Sequence, residues 1–333
     1  MSRIGLALLG SVALYACAAA PGTATRPNPP VFQGSVEGPA RPWTHQDFDS
    51  PDDRVTFALF SDLTGGEREG VFDQAVQQLN LLRPELVLNV GDLIEGETTD
   101  TAVLDQQWDH FDARAGQIDA PVFRVGGNHD LSHPVSWETW ERRYGPRHYH
   151  FVYRGLLFLV LDTEDNTPER QLEIERVRED SMVRIREEGW GVFDQTPYSQ
   201  LEDRISGHIG QQQANDMVAA IEAHPDVRWT FVLMHKPAWK RPGEENFARI
   251  EAALDGRGYT VFNGHEHFYE LNRRHGRDYI QLGTTGGFQP DHPMAIDHVT
   301  LVTVVGDDVE IANLALSGIF DRAGGVTGVS GSE

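Results

Sequence analysis

The chain has 333 residues, 51 of them acidic against 28 Lys and Arg, for a formal net charge of −23. So acidic a surface, with no basic arm and no stripe mixing basic and aromatic residues, repels polyanions, and no nucleic acid is expected as a partner. The single cysteine, Cys17, excludes an internal disulfide, so the core must hold itself together by burial.

The first stretch, MSRIGLALLGSVALYACAAAPG, sets Arg3 before an apolar run from Ile4 to Ala16. That run falls short of the roughly 20 residues a membrane-crossing helix needs, and suits a secretory signal over residues 1–17. It resembles a bacterial lipoprotein signal, with Leu14, two further residues and then Cys17. The resemblance implies export to the periplasmic side of the cell envelope, lipidation at Cys17, and membrane contact only through that lipid anchor. Tyr15 is bulkier than the pattern prefers, and an ordinary cleaved signal using Ala16, Ala18 and Ala20 is the other reading. Residues 18–50, rich in Pro, Gly, Ser and Thr, read as a flexible tether. Residues 51–318 are expected to form one large domain with an insertion at about 165–207, and 319–333 a flexible C-terminal tail.

Within the domain, strand-length apolar runs alternate with helical patterns. RVTFALFS, ELVLNVGD and PVFRVGG read as strands, separated by helices through GVFDQAVQQLNLL and TAVLDQQWDHFDARAG. This alternation argues for parallel βαβ units. HYHFVYRG and LLFLVLDTED read as a hairpin turning at Arg154-Gly155, and PERQLEIERVREDSMVRIREEG as an exposed helix. QQQANDMVAAIEAH then feeds the strand VRWTFVLMH, and ENFARIEAAL feeds YTVFNGH. The last third, DYIQLGTTGG, HVTLVTVVG and VEIANLAL, is strand-rich and suggests antiparallel closure of a second sheet. The expected architecture is α/β, a four-layer αββα sandwich of two mixed sheets flanked by helices.

Asp62, Asp92 and Asn128 each follow a predicted strand, at spacings close to the roughly 30 residues of a βαβ unit. Right-handed crossovers bring such strand ends side by side, on the edge where open α/β sheets bind ligands. His235 ends VRWTFVLMH, and His265 and His267 end YTVFNGHEH. Each residue alone has an ordinary explanation as a turn, cap or core side chain. Together they are a set of carboxylate, amide and imidazole donors, which suits Mn, Fe or Zn.

With their neighbouring glycines, the stretches SDLTG, GDLIEG, GNHD, MHKP and GHEH resemble the calcineurin-like metallophosphoesterases, over residues 54 to about 315. The resemblance implies two divalent metal ions sharing Asp92. One would be held by Asp92, Asn128, His235 and His265, the other by Asp62, Asp92 and His267. It further implies hydrolysis of a small phosphate-ester substrate by a hydroxide bridging the metals, with His129 donating a proton to the leaving group. In the usual pattern a histidine stands two residues after the first aspartate, where this chain has Thr64. Glu95 can replace that ligand directly or through water, orient His129, or serve only its loop. A metal-dependent binding or scaffold lipoprotein, its catalysis weakened by Thr64, is the alternative function. Lys236, Lys240 and Arg241 follow His235 and are expected either to meet a phosphate or to be solvated, with Lys236 and Arg241 the candidate substrate contacts. Asp130 is expected to fix its loop, and LGTTGG to approach substrate or make a tight turn. The insertion, with Trp190, Phe193 and Tyr198, reads as a cap, a docking surface or a solvated excursion.

Overall fold

In the computed structural model, which describes residues 31–48 and 54–321, the chain opens with a short strand, β1 (Phe32–Gly34). Three strand–helix pairs follow: β2 (Val55–Phe60) with α1 (Val71–Leu82), β3 (Leu86–Asn89) with α2 (Thr101–Ala115), and β4 (Val122–Phe123) with α3 (Pro134–Tyr144). Next come the hairpin β5 (Tyr149–Tyr153) and β6 (Leu156–Val160), then α4 (Pro168–Glu188), the single turn α5 (Glu202–Ile205) and α6 (Gln211–Ala223). Strand β7 (Trp229–Leu233), helix α7 (Glu245–Ala253) and strand β8 (Tyr259–Asn263) come next. The remaining strands are β9 (Glu270–Arg274), β10 (Arg277–Gln281), β11 (His298–Val305), β12 (Asp308–Ala315) and β13 (Gly318–Asp321).

These strands form two mixed sheets, ordered β1-β5-β6-β7-β8-β10-β9 and β13-β12-β11-β2-β3-β4. Period-two alternation explains how they stack. In β2, Phe57 and Leu59 face the second sheet, while Ala58 and Phe60 face α1 and α2. Phe57 meets Phe231 of β7 edge-on at 4.8 Å between ring centroids. Leu157, Leu159 and Val232 cover the opposite outer face beneath α6 and α7. The result is the expected four-layer αββα sandwich. No helix among the described residues is long and apolar enough to cross a membrane.

Several elements differ from the sequence expectation. Residues 31–48, assigned to the tether, pack on the domain: Trp43 is buried against Phe123, and the Pro42 carbonyl accepts from Arg124 N–H at 2.8 Å. Aromatic burial holds this stretch, which composition alone does not reveal. The signal, Cys17, the rest of the tether and residues 322–333 lie outside the described residues. Strands β11 and β12 do not close a second sheet. They extend the sheet of β2 antiparallel, Val302 opposite Phe57, whereas β10 runs parallel to β8 in the other sheet. Helix α3 was not anticipated because its cap is unusual: His133 Nδ1 accepts from Val135 N–H at 3.0 Å, with Pro134 opening the first turn.

Candidate metal centre

The carboxyl ends of β2, β3 and β4 deliver Asp62, Asp92 and Asn128 from one sheet, and those of β7 and β8 deliver His235, His265 and His267 from the other. They meet where the two sheet edges converge. Asp92, His235 and His265 place one potential ligand atom each within 4.8 Å of one another, and so do Asp62, Asp92 and His267. Asp92 belongs to both groups. Asn128 joins the first, its Oδ1 lying 3.1 Å from His235 Nε2.

The backbone is bent to achieve this. Asp62, Asp92, His265 and His267 have φ of 21°, 57°, 80° and 59°, four of eight non-glycine residues with positive φ among those described. Such conformations cost on the order of 1 kcal/mol or more each and persist only where surroundings impose them. Two glycines make room. A Cβ on Gly127 would come 2.2 Å from Asp92 Oδ1, and one on Gly264 2.3 Å from Asp62 Oδ2.

The imidazoles fit a cation. His235 Nδ1–H donates to the Val90 carbonyl at 2.8 Å, which leaves Nε2 facing Asp92 Oδ2 at 3.1 Å. His267 Nδ1–H donates to the Phe288 carbonyl, with Nε2 3.2 Å from Asp62 Oδ1. His265 reverses the roles, donating Nε2–H to the Arg204 carbonyl at 2.6 Å and leaving Nδ1 free. Each ring thus spends its N–H on a carbonyl, the arrangement that orients metal-binding histidines. A neutral ring then turns a lone pair toward carboxylate oxygen, which is repulsive unless positive charge lies between them. Without a cation, the carboxylates draw that positive charge from the rings themselves. Burial acts to lower the His235 pKa, yet the Asp92 charge and hydrogen bond, with Asp62 beyond, hold it up at about 9. His267 is likewise raised, against burial, mainly by Asp62. His265 is held well below its ordinary value by burial and by neighbouring His235 and Lys236, so it stays neutral.

Glu95 is outside both donor groups. Its carboxylate accepts from the N–H groups of Gly65, Gly66 and Glu67 at 3.3, 3.0 and 3.0 Å, bracing the loop after Asp62. Its carbonyl, not its side chain, accepts from His129 Nδ1–H at 2.9 Å. The Thr64 hydroxyl is buried without a hydrogen-bond partner. Among the described residues, no further carboxylate or imidazole joins the Asp62, Asp92 and His267 group in place of the absent histidine. His129 N–H donates to Asp92 Oδ1 at 2.9 Å, and Glu97 Oε1 lies 3.5 Å from its ring. Burial alone would lower its pKa, but Asp92, Glu97 and Glu95 raise it. Asp130 fixes two loops, accepting from Leu93, Ile94 and Gly127 N–H at 2.8–3.0 Å.

Lys236 and Arg241 do not reach this rim. Lys236 is buried, with Nζ 2.9 Å from Glu164 and 2.6 Å from the Asp203 carbonyl, and Arg241 pairs with the Asp203 carboxylate at 3.2 Å. Buried charges need partners, and these two are spent on theirs. Lys240 pairs with Glu270 at 3.2 Å. LGTTGG packs behind the site, with Thr285 N–H donating to the Ser61 and Asp62 carbonyls.

A cleft of about 530 Å³ opens over the centre. The insertion lines it with Arg178, Trp190, Phe193 and Arg204, and Phe288 lines it as well. Arg178 and Glu97, which pair at the cleft wall, were not singled out from the sequence: one is a charged residue in a charged helix, the other an acidic loop residue in an acidic chain, and neither carries a local mark.

Residues 55–269 match the family model of the calcineurin-like phosphoesterases. No curated protein matches the sequence. Among solved structures, the fold is similar to a dimetal phosphatase from Danio rerio, at 16% identity and TM-score 0.55, over 82% of this chain and all of that one. PhoD is similar at 10% identity and TM-score 0.53, over 86% of this chain and 75% of that one. Identities this low speak for the fold; the family match speaks for the chemistry. Since it runs from the start of β2 past the GHEH loop, over more than half the sequence, the chain belongs to the calcineurin-like phosphoesterase family and is a metal-dependent phosphoesterase.

Proposed function

We propose that the protein is an exported, lipid-anchored hydrolase of small phosphate esters, acting through two divalent cations that share Asp92. The observation that carries this reading is the pair of donor groups with Asp92 common to both. Asp92, Asn128, His235 and His265 would hold one cation, and Asp62, Asp92 and His267 the other. Bound divalent cations of the Mn, Fe or Zn kind supply the positive charge that activates water near neutral pH and stabilises the transferring phosphoryl group.

The chain's own residues do the rest. Asp92 takes the His129 backbone N–H and so fixes the GNHD loop beneath the phosphoryl position. His129, with Nδ1 tied to the Glu95 carbonyl, carries its exchangeable proton on Nε2 and hands it to the leaving oxygen. The raised pKa keeps that proton available near neutrality. Export and the anchor at Cys17 rest on the N-terminal sequence.

Hydrolysis of a chromogenic phosphomonoester and diester by the Mn-loaded protein tests the reading. Activity should vanish on chelation and fall by at least about 100-fold in Asp92→Asn and His265→Ala. Tight metal binding with no turnover across a broad ester panel and several metals would instead support the scaffold alternative.

A further inference from the structure

We infer that the outer half of the cleft is a subsite for a flat aromatic ring carried by the leaving group of the ester. This deepens the phosphoesterase reading and rests on it. Among the described side chains, Trp190 and Phe288 are the two exposed aromatics, 68% and 57% accessible, and both line this cleft. Lone exposed apolar residues need no explanation, but two large rings gathered at one catalytic opening do.

Their supports are ordered. Trp190 begins a short 3₁₀ turn, Trp190–Gln195, attached to the end of α4 by the Gly189 N–H donating to the Ile185 carbonyl at 2.7 Å. Its ring lies 6.1 Å from that of Phe193, which in turn stacks under the Arg204 guanidinium at 4.9 Å. Phe288 belongs to the His267 side of the lining, whereas Trp190 reaches the His265 side through Phe193 and Arg204. The Phe288 carbonyl takes the His267 Nδ1–H, so its backbone is registered directly to the metal centre. Met182 and Pro290 extend the apolar wall.

The cleft volume of about 530 Å³ falls within the roughly 300–1,000 Å³ of small-molecule sites and is far larger than a phosphate alone would need. One lining joins the metal donors Asn128, His265 and His267 to the apolar side chains Met182, Trp190, Phe193 and Phe288. An ester with its phosphoryl group at the metal centre therefore directs its leaving group between Trp190 and Phe288. Rings prefer to stack on rings, and every flat aromatic system offers a face to do so.

The test compares benzyl, cyclohexylmethyl and ethyl phosphate as substrates of the metal-loaded full chain, three primary alkyl esters differing in the shape beyond the first carbon. Binding of benzylphosphonate and ethylphosphonate, measured by calorimetry, is a readout independent of turnover. Benzyl phosphate should exceed ethyl phosphate in kcat/KM by on the order of tenfold, with the puckered cyclohexyl ring trailing benzyl. Trp190→Leu and Phe288→Leu should each cut the benzyl-over-ethyl ratio about three- to tenfold, while Trp190→Phe retains most of it. A ratio within about twofold in the wild type, or one unmoved by both Leu variants, overturns the subsite. If no ester turns over yet benzylphosphonate still binds more tightly than ethylphosphonate, the subsite stands and the hydrolase reading falls. Equal binding of the two phosphonates overturns the subsite.

Discussion

The buried, unpartnered hydroxyl of Thr64 and the occupied carboxylate of Glu95 together define how the Asp62 side of the centre departs from its neighbour. The Asp92–His235–His265 group gains Asn128 as a fourth donor, whereas the Asp62–Asp92–His267 group gains none among these residues. Metal titration of the stripped protein should therefore resolve a tight and a weak site. Thr64→His should tighten the weak one by on the order of tenfold or more, since outer partners of ligands are themselves worth roughly 10–100-fold. Two equally tight sites in the wild type would rule this out. Glu95→Ala, by removing the acceptor for three backbone N–H groups, should cost about 1–3 kcal/mol of stability in denaturant unfolding. The donor positions could be picked out in the sequence because all six lie at or just after strand ends, and three of them, Asp92, Asn128 and His265, directly follow a glycine at which a Cβ would clash. Lys236 and Arg241 misled because positive charge after His235 looks the same whether it faces solvent or a buried carboxylate. Only the fold shows that Glu164 and Asp203 wait for them.

At the scale of elements, strand-length apolar runs made β2, β3, β7 and β8 legible, and burial on both faces predicts what they tolerate. Phe57 is fully buried between the sheets, against Phe158 and Phe231. Phe57→Ala should destabilise by about 3–5 kcal/mol, a loss readable as a shift in the denaturant midpoint without change of slope. The insertion was legible as a charged helix, but the sequence left a cap, a docking surface and a solvated excursion all open, and only the fold lines the cleft with it. What ties it down is non-local: Arg170 of α4 and Arg241 beyond β7 both pair with Asp203, whose carbonyl also accepts from Lys236. The next carbonyl, that of Arg204, orients His265. Loosening this knot should therefore be felt at the metal. Asp203→Ala is expected to weaken binding at the His265 site by roughly 10-fold or more, the range for lost ligand support. The Asp62 site should be less affected in the same titration; equal losses at both would point to general unfolding instead.

Across the whole molecule, the two sheets are joined near the site by His298, at the start of β11, whose Nε2 accepts from Gly283 N–H at 2.8 Å, just after β10. Sequence patterning could place both strands but not their assignment to different sheets, because β11 is buried along one face whichever edge it joins. The join has a pH signature. Burial depresses the His298 pKa from 6.5 to about 4, against smaller raising effects of Asp297 and the Val299 backbone. Between these values the unfolded chain binds a proton that the folded protein refuses, so stability rises with pH across the window and falls as pH drops through it. Below about pH 4 both states are protonated and the loss is complete, amounting to about 3 kcal/mol at 1.36 kcal/mol per pH unit. His298→Gln keeps an acceptor for Gly283 but cannot titrate. Denaturant unfolding of both proteins from pH 7.5 to 4 (about, bracketing the window) cancels the protons of the metal centre, which they share. The wild type should lose stability relative to the variant steadily below about pH 6.5, with a flat difference above it. A difference independent of pH would mean that the imidazole is not held neutral at this junction, and that the two sheets meet there more loosely than the geometry requires.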